Sequence, residues 1–178
     1  MPELKGSKTE QNLRTAFSGE SEARNKYTYF ASVAKKEGYE QISAFFQETA
    51  DNEKEHAELW FKRLQGIGDT KQNLKSAADG EHYEWTEMYK EFAEVARTEG
   101  FLDIAAQMDK IAEIERHHET RYLKLLSNME SCTVFQKGQA LPWLCRNCGY
   151  IMEADAAPEK CPACLHPQAY FQVWVEDY

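Results

Sequence analysis

Apolar positions recur between residues 7 and 129 with the spacing of amphipathic helices, and the breaks between the runs predict four of them. The first opens at Ser7-Lys8-Thr9-Glu10, a capping box, and carries Leu13, Ala16, Phe17, Ala23, Tyr27 and Phe30 on one face as far as Gly38. A second runs from about Tyr39 to Gln65, with Ile42, Phe45, Phe46, Thr49, Ala50, Leu59 and Leu64 inward, and is stopped by Gly66 and Gly68. A third is expected from about Gly80 to Thr98 and a fourth from about Phe101 to Asn128. The stretch Gly66 to Asp79 then reads as an extended connection able to reach roughly 46 Å at about 3.3 Å per residue, against roughly 37 Å for a helix of about 25 residues.

The pattern repeats. Tyr27 matches Tyr89, Phe30 matches Phe92, Ala31 matches Ala93, Val33 matches Val95, Glu37-Gly38 matches Glu99-Gly100, and Ile42 matches Ile104, each at an offset of 62 (27 to 89). Two Glu-x-x-His units, Glu53/His56 and Glu115/His118, sit at the same offset. Residues three apart on a helix share a face, so each unit aims a carboxylate and an imidazole at one point. Glu20 and Glu81 each follow a glycine in the preceding helix, but at an offset of 61, so the repeat slips there by one residue. Glu84 lies one turn beyond Glu81 and has Glu22 as its offset-62 match. Spacing leaves open whether Glu81, Glu84 or both reach a metal.

Two helices each giving a glutamate and two each giving Glu-x-x-His is the ligand pattern of ferritin-like di-iron carboxylate bundles. Glu20, Glu53, Glu81, Glu84 and Glu115 would bring five negative charges, which two divalent or trivalent cations offset. The set suits iron, manganese or zinc, of which zinc would hold a hydrolytic water but pass no electrons. In such a bundle the second and third helices are parallel, and a connection with little slack makes exchange of helix pairs between two chains a second way to close it.

Composition changes sharply near the end. Four of the five prolines and Cys145, Cys148, Cys161 and Cys164 follow Leu141. Paired Cys-x-x-Cys units form a tetrathiolate zinc or single-iron site, and iron there would carry electrons. The fold class expected is an all-α four-helix ferritin-like bundle with a small C-terminal metal-binding domain, divided as 1–130, a linker at 131–141, and 142–178. A net charge of −9 argues against nucleic acid and anionic membrane. No run approaches membrane length and no signal is evident, so a cytoplasmic protein with reduced thiols is expected. His82, His117, His166 and Cys132 are read as surface, interface or linker residues.

Over nearly its whole length the chain resembles the rubrerythrin family. The carrying segments are Ala16-Phe17-Ser18-Gly19-Glu20-Ser21, Glu48 to His56, Gly80-Glu81-His82-Tyr83-Glu84, Cys145-Arg146-Asn147-Cys148-Gly149-Tyr150 and Cys161-Pro162-Ala163-Cys164. The resemblance implies a ferritin-like di-iron domain followed by a rubredoxin-like domain, acting as a non-haem di-iron peroxidase that reduces hydrogen peroxide to water in oxidative stress protection, with a ferroxidase or iron-storage protein as the alternative. It implies two irons held by Glu20, Glu53, Glu81, Glu84, Glu115, His56 and His118, with Glu84 giving way to His56 on reduction, and one iron, replaceable by zinc, on the four cysteines. Tyr27 and Tyr89 correspond to tyrosines near the family's site, or to amphipathic core residues on the plain reading. The implied partners are a rubredoxin or flavoprotein reductase as donor and a second copy in a head-to-tail homodimer. Two departures stand out: the connection after the second helix is short, and Leu165 follows the last cysteine where a free-standing rubredoxin usually has glycine.

Overall fold

The structure, a computed structural model, describes residues 2–176. Its chain divides between Asp69 and Thr70 into two compact units. The first unit is a hairpin of α1 (Lys8–Lys36) and α2 (Glu40–Arg63). The second contains α3 (Thr70–Tyr83), a π-helical turn (Glu84–Met88), α4 (Tyr89–Thr98), α5 (Leu102–Glu130) and three strands, β1 (Gln136–Cys145), β2 (Ile151–Ala156) and β3 (Phe171–Val173).

The cap of α1 forms as expected, since Ser7 Oγ accepts from the Glu10 N–H at 3.1 Å. The return bond of the box goes to the Gly6 N–H, 2.6 Å from Glu10 Oε2, rather than to Ser7. Both hairpins turn through the same motif. Gly38 and Gly100 take φ of +86° and +87°, a region that costs other residues a clash at Cβ. The following N–H groups close the last turns, Tyr39 onto Ala34 at 2.9 Å and Phe101 onto Ala96 at 2.8 Å. Small residues line the contact behind each turn: Ala31, Ala34, Ala50 and Ala57 in the first hairpin, Ala93, Ala96 and Ala105 in the second. In the first, Ser43 Oγ also donates to Ala31 O across the hairpin at 2.9 Å. The matched positions Ala105 and Ala93 of the second are simply packed.

One expectation is corrected. The third helix begins at Thr70, not near Gly80, so the stretch Gly66 to Asp79 is not an extended crossing. Thr70 to Asp79 contains neither glycine nor proline, and its Ala78 is buried, so it propagates as helix and Gly80 is tolerated inside. Within the stretch 131–141, β1 starts at Gln136, paired with Ala156.

The π-helical turn accounts for the slip in the repeat. Glu20 and Tyr27 are seven residues apart in a regular helix and so nearly in phase, about 20° apart at 100° per residue. Glu81 and Tyr89 are eight apart, which in a regular helix would put them about 80° out of phase. The Tyr89 N–H bonds the carbonyl of Glu84, five residues back, and this wide turn absorbs the extra residue.

In the tail the sheet order is β2-β1-β3, all antiparallel. Trp143, Cys145, Ala157, Cys161 and Phe171 form its core. The Trp143 indole N–H, which burial would otherwise leave unpaired, donates to Ala154 O at 2.9 Å.

Candidate metal centres

Each hairpin assembles one carboxylate–histidine cluster. In the first, Glu20 from α1 meets Glu53 and His56 from α2; in the second, Glu81 from α3 meets Glu115 and His118 from α5, and in each the ligand atoms all lie within 4.8 Å of one another. The two agree closely in geometry. His56 Nδ1 is 2.8 Å from Glu53 and 3.9 Å from Glu20, and His118 Nδ1 is 2.7 Å from Glu115 and 3.7 Å from Glu81. Burial is only partial within one chain, contrary to expectation: Glu53 and Glu115 are 17% and 15% exposed, His56 and His118 55% and 36%. The ligand stripes run along faces that each hairpin's own helices cover incompletely.

In each cluster the carboxyl from the preceding helix is raised. Glu20 is raised above the ordinary carboxylate value by its hydrogen bond to Glu53, by burial and by the Glu53 charge. Glu53 is correspondingly lowered by the bond to Glu20 and by His56. Glu81 is raised first by burial, then by its bond to Glu115 and the Glu115 charge. Two carboxyl groups in contact hold one proton between them, and a cation placed there displaces it.

Glu84 lies outside the three-residue cluster of its hairpin. Its charge still acts on the neighbourhood, helping to raise Glu81. The Tyr89 phenol is raised by burial and then by the charges of Glu84 and Glu115, which keeps it protonated beside the cluster. Tyr27 instead packs among rings, with centroids 6.2 Å from Phe30 and 6.3 Å from Phe46. Trp60, one turn past His56, has a buried indole N–H with no partner among the described residues; it stands near enough to Glu20 to favour its ionised form.

The four cysteines form the third cluster, with Cys145 Sγ 3.7 Å from Cys164 Sγ and Cys148 Sγ 3.7 Å from Cys161 Sγ. A tetrahedron with metal–sulfur bonds of about 2.3 Å has edges of about 3.8 Å, so the cage fits an ion as it stands. Two matching knuckles build it. The Gly149 N–H bonds Cys145 O and the Leu165 N–H bonds Cys161 O, both at 2.9 Å. Gly149 and Leu165 both take positive φ, 79° and 60°. The His166 backbone N–H pulls the Cys164 thiol down to about 6 against burial, with help from Cys148, Cys161 and Asn147. At Cys148 the Tyr150 backbone favours the thiolate, but contact with Cys164, burial and the other two thiols push it up to about 12. A cage that surrenders one proton readily and clings to another binds a cation in exchange for protons.

Residues 11–126 match the rubrerythrin family, and residues 143–172 match the rubredoxin-like domain of rubrerythrin. The chain belongs to the rubrerythrin family. It is 52% identical to rubrerythrin of Porphyromonas gingivalis over 98% of this chain and 94% of that one. Rubrerythrin of Nitratidesulfovibrio vulgaris is 50% identical over 97% of both chains. Among solved structures, a mixed-valence state of nigerythrin is 31% identical, covering 96% of this chain and 91% of its own at a TM-score of 0.35.

The fold class is therefore ferritin-like and helical, followed by a rubredoxin-like domain, as the sequence implied. Rubrerythrins are oxidoreductases with a di-iron site and a rubredoxin-like site, and the glutamate–histidine and four-cysteine clusters correspond to them. No helix among the described residues is long and apolar enough to cross a membrane. Sequence reasoning set aside His82 and gave no role to Glu119 or Trp85, which are hydrogen-bonded together beside the second cluster. The partners lie 37 residues apart, so helical spacing held no signal for them.

Proposed function

We propose that this chain is a cytoplasmic non-haem di-iron peroxidase that reduces hydrogen peroxide to water, with electrons entering through iron on the four cysteines. The observation that carries the reading is the co-occurrence, in one chain of the rubrerythrin family, of two matched carboxylate–histidine clusters and a sulfur tetrahedron. In this reading residues 1–130 hold the di-iron centre, 142–178 the electron-entry site, and 131–141 join them.

Glu20, Glu53, His56, Glu81, Glu84, Glu115 and His118 would hold the two irons, with Glu84 and His56 alternating as ligands of one of them. The iron pair, when bound, supplies two electrons together to the O–O bond. Peroxide then takes up two electrons and two protons and leaves as two waters, without release of a one-electron product. Tyr89 serves as a proton holder: burial and the neighbouring carboxylates keep its Oη protonated and able to donate to a leaving oxygen. Tyr27, packed among rings, is a structural counterpart in the other hairpin.

The active form in this reading is a homodimer with exchanged hairpins. Residues 64–69, between Arg63 and Thr70, reach roughly 23 Å if extended. A parallel α2 and α3 with Glu53 and Glu81 level need a return of about 32 Å at 1.5 Å per residue. The required connection is longer than the chain supplies, whereas a second copy needs no such crossing. The repeat also leaves matching apolar residues uncovered in the single chain, Phe30 and Phe92 at 45% and 46%, Val33 and Val95 at 52% and 49%. A rubredoxin or a flavoprotein reductase is the donor this reading implies.

The test is to reduce the iron-loaded protein without oxygen, add peroxide, and follow the visible band of the ferric tetrathiolate. Return of the band as peroxide disappears is expected. Peroxide left unchanged by fully reduced, iron-loaded protein would reject the reading, and many irons per chain in a cage-sized assembly would favour iron storage instead.

A further inference from the structure

A carboxylate with no ligand role ties α5 to α3 at the start of the wide turn in the second hairpin. Glu119 accepts from Trp85 Nε1 at 2.5 Å through one oxygen, and its other oxygen is 2.9 Å from His82 Nδ1. The two rings meet edge to face with centroids 5.5 Å apart, and Lys90 Nζ lies 5.5 Å from the Trp85 ring centre. The Glu119 side chain is 16% exposed and that of His82 57%, so the bond to the indole is the more sheltered of the two. Both oxygens are engaged, and Glu119 is not among the residues of the metal cluster.

The first hairpin is an internal control. At an offset of 62, Glu119 matches Ala57 and Trp85 matches Ala23, and α1 is an unbroken α-helix there. One copy has both the wide turn and the side chains that grip it; the other has neither. A π-helical turn gives up the regular hydrogen-bond ladder and persists where surrounding contacts hold it.

We propose that Glu119, with Trp85 and His82, is a positioning brace that holds the wide turn and so keeps Glu84 and Tyr89 on the side of Glu81. The third helix thereby offers the metals a second carboxylate where the first helix offers one. The proposal rests on the two-metal reading given above.

The test uses the full-length chain with its cysteine site already filled, titrated with ferrous ion in the absence of oxygen. Amide exchange across Glu84–Met88 and Tyr89 is followed in parallel. Glu119→Leu should weaken the second ferrous ion at least ~10-fold and leave the first within about two-fold. Exchange at Met88 and Tyr89 should speed at least ~10-fold, with helix content and the tetrathiolate band unchanged. Glu119→Gln, which retains an acceptor oxygen for the indole, should recover most of both effects. Trp85→Phe, which removes the N–H and keeps a smaller aromatic ring, should fall between, and it decides the matter should Glu119→Leu fail to fold. Two ferrous ions bound within two-fold of wild type, with unaltered exchange in Trp85→Phe and in any folded Glu119→Leu, would overturn the brace. Wild-type protein that takes up fewer than two ferrous ions outside the cysteine cage would instead reject the two-metal reading.

Discussion

The two hairpins are copies of one ladder that diverge at a single inserted residue. Their turns close through the same backbone bonds, alanines line both contacts, and each holds a Glu/Glu/His cluster. Their backbones diverge in the helix that precedes the Glu-x-x-His helix, where the second copy has the wide turn. In the first copy Glu22 is 64% exposed and pairs with Lys26 one turn on. Its match in the second copy, Glu84, opens the wide turn and lies near Glu81 and Tyr89. Duplication supplies a symmetric cradle, and the wide turn of the second copy brings Tyr89 back onto the face that carries Glu81 and Glu84. In the reading proposed above, this asymmetry would let one metal exchange a ligand while the other keeps its set.

The largest effects should come from residues the copies share. Glu53→Ala and Glu115→Ala each remove a carboxylate from the centre of a cluster and should lower peroxide consumption by more than about 100-fold, with loss of iron from the bundle. Iron per chain and peroxide turnover, measured together, check this. A variant that loses one iron and keeps full turnover would show that the clusters do not act as a pair.

Next in size is the contrast between the tyrosines. Tyr89→Phe removes a protonated phenol beside the carboxylates and should slow turnover by about 10- to 100-fold. Tyr27→Phe, whose ring sits against Phe30 and Phe46, should stay within about two-fold. Equal effects would mean that the phase restored by the wide turn has no bearing on the chemistry.

A smaller effect, one the copies share, is the pH response of the metal-free protein. Glu20 and Glu81 have folded-state values raised above 4.5, so their contribution to stability is full below about that pH and is lost as pH rises through the raised values. Glu53 is lowered, so its contribution is present above 4.5 and is lost only as pH falls through its lower value. As pH rises from about 4.5 through the raised values, the amides around both clusters should therefore lose protection, after correction for intrinsic exchange. Ferrous ion should abolish the loss, and its binding should weaken as pH falls, since protons then compete for the same oxygens.

Much of this was legible in the residues because it is local. Ser7 to Glu10, the Glu-Gly pairs at 37–38 and 99–100, the Glu-x-x-His units and the two Cys-x-x-Cys pairs each encode their geometry within a few positions. The slip from 62 to 61 was visible as a number, but a one-residue slip does not say whether a loop, a kink or a wide turn absorbs it. Helix α3 was missed at its start because Gly80 reads as a boundary, although nothing in Thr70 to Asp79 stops a helix. His82 was set aside on its direction from an unbroken helix, and its partner Glu119 is remote in sequence.

The two cysteine knuckles repeat the contrast of the hairpins on a smaller scale and give the smallest effect. Both need a residue in left-handed backbone after the second cysteine; one copy uses Gly149 and the other Leu165. A leucine there carries a strain of roughly 1 kcal/mol that glycine avoids. With 73% of Leu165 exposed, little packing offsets the strain. Gly149→Ala should then cost about 1 kcal/mol, and Leu165→Gly should gain up to about 1 kcal/mol, less what the unfolded chain gains in freedom. Thermal loss of the tetrathiolate band in the metal-loaded protein reads both. A loss of stability in Leu165→Gly would mean that the exposed leucine is held by a contact the single chain does not make, which would point to a partner surface beside the cage.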